Sequence, residues 1–142
     1  MDKTLEIEGH RMAVRLVWPG DVGIPVFFLH GIGGSINFWT PGLTLLFQGI
    51  GPCYSLSLPG YFPAVFPQDL PAACLTAELI ARLVSGTIQK TVGSRKVLLV
   101  GHSTGGFAAL STGIYHPEVV AGIVSIAGFA HGRWNGVLGF CQ

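Results

Sequence analysis

Charge is scarce in this chain. Of its 142 residues, 11% are Asp, Glu, Lys or Arg, against about 25% in ordinary globular domains. The net charge is +1, and the eight basic residues are scattered. Phosphate binding needs clustered Lys and Arg, so nucleic acid is not expected as a partner. Cysteine is scarce too: Cys53, Cys74 and Cys141 form no CxxC pair and leave one odd. That excludes a disulfide framework and reads as reduced thiols in a cytoplasmic protein. The polar start Met1-Asp2-Lys3-Thr4-Leu5-Glu6 is no signal peptide. The longest uncharged apolar stretch, Val119 to Ala130, falls short of the ~20 residues that span a bilayer, so no membrane partner is expected.

What is abundant is glycine, 21 residues, about twice the usual share. Two clusters of it follow apolar runs. Thr4 to Glu8 and Arg11 to Trp18 alternate and are β-rich, with Gly9-His10 between them, so they read as a hairpin. Val26 to Leu29 is a continuous apolar run, as in a strand buried on both faces of a parallel sheet. A short helix is expected from about Asn37 to Phe47, then a strand from Cys53 to Leu58 closed by Pro59-Gly60. Tyr61 to Pro71 reads as loop. Leu75, Leu79, Ile80, Leu83, Val84 and Ile88 keep helical spacing, predicting a helix over 72–89 that Gly93 ends. Val97 to Val100 is a strand, Thr104 to Tyr115 a helix stopped before Pro117, and Val119 to Ala127 a strand.

After the hairpin, strands and helices alternate. The fold class is therefore α/β: a mainly parallel sheet with an N-terminal antiparallel hairpin and helices on both faces. No repeat or linker divides the chain, so residues 1–142 form one domain. Ligands in such sheets bind beyond the carboxyl ends of the strands, and both glycine-rich turns sit there.

The first of these turns is Gly101-His102-Ser103-Thr104-Gly105-Gly106, between a strand and a helix. Gly-x-Ser-x-Gly alone arises by chance roughly 0.17 times in a chain of this composition. Its position gives it meaning. A serine on a tight strand-to-helix turn is held in a strained backbone, and the residues two before and two after it approach closely. Gly101 and Gly105 fill those places, and Gly106 lets the helix pack close. The helix also aims its free N–H groups and positive dipole end at the serine. Ser103 is thus a candidate nucleophile, and the Thr104 N–H a candidate oxyanion donor.

The second turn, His30-Gly31-Ile32-Gly33-Gly34, suits the other half of an oxyanion hole, with the Ile32 N–H as donor. His30 reads as a structural hydrogen-bonding residue. A dinucleotide fingerprint would need Gly at 36, which is Ile, and a phosphate loop would need a Lys that neither turn has. No cofactor and no metal is expected.

With these pieces in this order, the chain resembles the α/β-hydrolase superfamily. The resemblance rests on the hairpin, on His30 to Gly34, on Leu58-Pro59-Gly60-Tyr61, on Gly101 to Gly106, and on His116-Pro117 before the next strand. It implies that Ser103 attacks an ester, amide, thioester or related bond of a small acyl substrate, with Thr104 and Ile32 as backbone donors. Gly31, Gly33, Gly101, His102, Gly105, Gly106 and His30 would support them. Ser57 stands where many relatives carry an aspartate, which is expected to weaken a turn-stabilising role there.

The family's acid and histidine follow later strands. After Ser103 this chain has one carboxylate, Glu118, and two histidines, His116 and His131. Glu118 and His116 belong to the far end of the helix, which leaves His131 as the only local candidate base. The expectation is of the N-terminal portion of an α/β-hydrolase, ending after the strand that follows the nucleophile turn. Two consequences are expected: weak or no turnover by this chain alone, and self-association through a bare sheet edge. The rival readings are an inactive fragment and a chain that binds a small apolar ligand.

Overall fold

The computed structural model describes residues 2–20, 22–39, 41–65 and 75–129. Asp2–Ile7 (β1) and His10–Trp18 (β2) pair antiparallel, Ile7 opposite His10. The turn residues are Glu8 and Gly9, both at positive φ (49° and 77°). That is the mirror-image turn whose twist matches a two-residue hairpin, and it sits one residue earlier than the glycine alone suggested.

Val26–Leu29 (β3) lies at the centre, parallel to Cys53–Ser57 (β4) on one side and to Val97–His102 (β5) on the other. Val120–Ile126 (β6) pairs parallel to β5. β2 joins β4 antiparallel, with an irregularity between Leu16 and Trp18. The sheet order is β1-β2-β4-β3-β5-β6.

Period-two alternation splits the central strands between two cores. Phe27, Leu29, Leu56, Val97 and Leu99 face one side. There they meet Ala77–Val92 (α2) and Thr104–Tyr115 (α3). On α2 the buried Ile80, Leu83, Val84, Thr87 and Ile88 recur at helical spacing. Gly86 lets α2 approach β1, since a Cβ there would lie 2.7 Å from Ile7 Cγ2. Val26, Phe28, Cys53 and Val100 face the other side, where Trp39 and Phe47 cover them.

Two helices differ from their sequence-based bounds. The helix expected from Asn37 to Phe47 is only Pro41–Thr44 (α1), followed by a 3₁₀ turn at Leu45–Phe47. Residues 35–38 are instead held in turns: Phe38 N–H donates to Ser35 O, and Ile36 N–H donates to Ser57 Oγ. The helix expected from 72 begins at Ala77, because the Thr76 hydroxyl accepts from Leu79 N–H and caps it. It ends at Gly93, whose φ of 69° suits only glycine without strain. β5 runs two residues further than expected, to His102.

Candidate active site

β3, β4, β5 and β6 run the same way, so the segments that follow them gather at one end of the sheet. Ser103 stands there, between the last residue of β5 and the first of α3. Its backbone has φ 53° and ψ −114°, strained for a residue with a side chain. Two bonds hold it: Ser103 N–H donates to Ile126 O at 2.9 Å, and Phe107 N–H donates to Ser103 O at 3.1 Å.

The glycines around Ser103 are sites of backbone contact. A Cβ on Gly101 would run into the Gly105 carbonyl, and one on Gly105 into the Leu29 carbonyl. One on Gly106 would meet Ser125 Oγ at 2.6 Å and Gly128 Cα at 2.8 Å, so α3 rests on the end of β6. These close approaches let the turn sit tightly between β3, β5 and β6.

The loop after β3 closes over the turn. A Cβ on Gly31 would lie 2.9 Å from His102 Nδ1 and 3.1 Å from Ser103 Cβ, which places the start of this loop directly beside the serine. Gly33 adopts φ 75° with open space around it. Neither the Ile32 N–H nor the Thr104 N–H has a hydrogen-bond partner among the described residues. The Thr104 hydroxyl is buried and also unpartnered among them. An unpaired amide at the start of a helix carries part of the positive end of the helix dipole.

His30 is fully buried beneath this loop. Its Nε2 accepts from Leu58 N–H at 3.0 Å, so Nδ1 carries the proton and donates to Gly31 O at 2.8 Å. Burial pushes its pKa below the ordinary histidine value, and the bond to Gly31 opposes that only in part. The neutral ring thus ties the loop after β3 to the end of β4, and both its nitrogens are used.

Ser57 corrects the sequence expectation. Its buried hydroxyl accepts from Ile36 N–H at 2.7 Å and donates to Phe62 O at 3.2 Å, joining the loops after β3 and β4. A hydroxyl both donates and accepts, so it bridges two backbone groups of opposite kind, which a carboxylate cannot do. Two further features were missed: the Ile126 carbonyl that receives the Ser103 amide, and Phe38, whose ring stacks on His102 at 5.5 Å and 17°. No local signal in the sequence marks either, since both pairings span the sheet or a loop.

Glu118 and His116 lie at the other end of α3, paired with each other at 3.1 Å. They are the only carboxylate and the only imidazole after Ser103 among the described residues. Neither is brought to the serine. His131, Cys74 and Cys141 lie outside the described residues. Cys53 is buried in the core opposite α2 and α3, and burial pushes its thiol pKa up, so it stays protonated.

The sequence profile of the alpha/beta hydrolase family matches residues 26–140. The chain belongs to that family. Over 105 residues it is 30% identical to the "Putative carbamate hydrolase RutD" of Escherichia coli O1:K1 / APEC, a match covering 73% of this chain and 37% of that protein. The chain thus spans about two fifths of the length of the curated relatives it matches. Among solved structures, it superposes on "a putative aryl esterase from Burkholderia cenocepacia" with a TM-score of 0.78 and 26% identity, covering 95% of this chain and 49% of that one. The epoxide hydrolase VrEH1 from Vigna radiata superposes with a TM-score of 0.74 at 22% identity, covering 88% and 39%, and shares the fold.

Proposed function

We propose that this chain carries the nucleophile half of a serine hydrolase, and that Ser103 attacks the carbonyl carbon of an ester, amide, thioester or related bond. The carbamate bond in the name of the Escherichia coli relative belongs to the same chemical group. In this reading the Thr104 and Ile32 amides bind the oxyanion as it forms, each donor lowering the barrier by roughly 2.7–4 kcal/mol. The observation that carries the reading is the strained Ser103 backbone, beside a helix start and a loop whose Thr104 and Ile32 amides have no partner among the described residues. His30, locked neutral with both nitrogens engaged, is unsuited to take the serine proton and serves to hold the Ile32 loop. The substrate is a small molecule, with no cofactor, in a cytoplasmic setting. Among the described residues no helix is long and apolar enough to cross a membrane.

No histidine or carboxylate among the described residues after β5 reaches Ser103, so those residues supply the serine with no general base. Without its base, such a site keeps only the residual rate supplied by the oxyanion donors and binding. Added imidazole should supply that base. A fluorophosphonate, whose phosphorus bonds to the serine oxygen as fluoride leaves and the hydroxyl proton passes to the base, should label the full chain slowly on its own and several-fold faster with imidazole. Peptide mass spectrometry should place the label on Ser103, and Ser103→Ala should abolish it. No label on Ser103 under either condition would overturn the proposal, as would equal labelling of Ser103→Ala.

A further inference from the structure

The loops that lead into β3 and β4 meet at the end of the sheet opposite Ser103, because they precede parallel strands and the serine follows one. They are joined through their backbones. Ile24 N–H donates to Ile50 O at 2.8 Å, and Val26 N–H donates to Pro52 O at 2.9 Å. A Cβ on Gly23 would run into the Ile50 carbonyl, and one on Gly51 into the Ile24 carbonyl.

This joined pair holds its apolar residues out in solvent. Val22 is 85% exposed and Leu46 76%, and Ile24, Leu45 and Ile50 are exposed as well. Single exposed apolar residues are ordinary scatter, whereas five on two bonded loops form a patch that implies a partner. Trp18, also exposed, ends β2 opposite Cys53 at the start of β4 and so belongs to the same end.

The chemistry of the patch narrows the partner. Residues 41–52 contain no Asp, Glu, Lys or Arg, and residues 16–25 contain only Asp21, which is outside the described ones. The charge brought to these loops by a described neighbour is positive: Arg95, just before β5, donates from Nη2 to Gly23 O. The loop backbones are also bonded among themselves. Besides the Ile24 and Val26 amides, Gln48 N–H donates to Leu45 O and Ile50 N–H to Phe47 O. A protein partner could offer hydrogen bonds to open amides, but the acyl region of a bilayer cannot, so amides already bonded suit lipid. Projecting apolar residues, a tryptophan and a cation at one end are what an anionic lipid surface binds.

We infer that these two loops seat the protein on an anionic bilayer surface. Val22 and Leu46 enter the boundary of the acyl chains, Trp18 lies at the level of the headgroups, and Arg95 meets lipid phosphate. The contact is shallow, so it needs no segment long enough to span the bilayer. Ser103 then faces the water, at the far end of the sheet. The inference does not depend on the chemistry proposed for Ser103.

Flotation of the full chain on a density gradient tests it, since vesicle-bound protein rises while aggregates sink. The chain should float with vesicles of phosphatidylcholine mixed with phosphatidylglycerol, and several-fold less with phosphatidylcholine alone or at high salt. Val22→Asp and Leu46→Asp should each weaken binding to the mixed vesicles at least tenfold, with thermal unfolding matching wild type. Arg95→Gln, which leaves the apolar residues in place, should lower binding to the level seen on neutral vesicles. Absence of flotation with the mixed vesicles would overturn the inference, as would equal flotation with both kinds or indifference to all three substitutions. If Val22→Asp and Leu46→Asp instead abolished self-association without vesicles and left flotation unchanged, the patch would be a contact between copies and the lipid reading would fall.

Discussion

At the residue scale, the proposed oxyanion donors are backbone groups whose loops are held by neighbouring side chains. His30 shows how. Its neutral ring satisfies two buried backbone groups at once, which fixes the loop bearing Ile32 against the end of β4. Burial disfavours the imidazolium, so its pKa in the folded protein lies below the ordinary ~6.5 of an unfolded chain. A lowered histidine pKa contributes stability that is complete above about pH 6.5 and is lost as pH falls through the folded value. Urea unfolding should therefore show wild type losing stability as pH drops from 6.5. His30→Phe should be less stable by about 1–3 kcal/mol at pH 8, because the Leu58 amide is left buried without an acceptor. Its stability should also depend less on pH in that range. The same pH slope in both proteins would show that His30 is not the titrating group.

The glycines flanking Ser103 could be read from the sequence because chain geometry alone restricts such positions. Gly101 and Gly105 are separated by a fixed few residues in a turn, so their closeness follows from spacing. Ser57 could not be read this way. Its two partners, Ile36 and Phe62, lie on different loops, and only the pairing of β3 with β4 brings them together.

At the scale of elements, existence and order were legible, but boundaries were less so. The period-two and helical patterns report which face is buried, and that survives errors at the ends. α2 illustrates both points. Its buried stripe from Ile80 to Ile88 was visible in the sequence, yet the start was placed several residues early. The signal that corrects it was present: Thr76, three residues before Leu79, whose hydroxyl caps that amide at 3.1 Å. Leu75 just before the cap and Ile80 beyond it share one core cluster, an arrangement that sets the entry angle of a helix. Thr76→Ala should cost about 0.5–2 kcal/mol, measured by denaturant unfolding, while Thr76→Asp should retain most of the stability. If alanine matched threonine there, the cap would contribute nothing. α1 is the opposite case. Apolar residues from Asn37 to Phe47 suggested a longer helix, but contacts to β4 hold residues 35–38 in turns.

For the molecule as a whole, the sheet of the described residues has one guarded edge and one that no described strand covers. β1 forms the first edge and carries Asp2, Lys3 and Glu6, charges of the kind that discourage pairing. β6 forms the other, and among the described residues no strand pairs with its outer side. It has no charged residue, and Val124 and Ile126 are 39% and 44% exposed. We propose that the chain self-associates along this edge. Sedimentation should show a concentration-dependent shift to larger species, and Val124→Lys should reduce it by placing a charge on the strand. A monomer at every concentration would count against the proposal.

Motif and pattern by themselves pointed to the α/β-hydrolase family and to the layered architecture. A strand, a glycine-flanked serine and a helix in succession form a local unit, and alternating apolar runs imply a sheet covered on both sides. Only the tertiary structure decided which segments gather at the end of the sheet where Ser103 stands. Residues 32, 38, 62 and 126 lie up to 94 positions apart in the chain, and parallel strand pairing brings the segments that bear them to one end of the sheet. The pairing of Arg15 with Asp2 and Asn37 likewise exists only once β1, β2 and the loop after β3 have met.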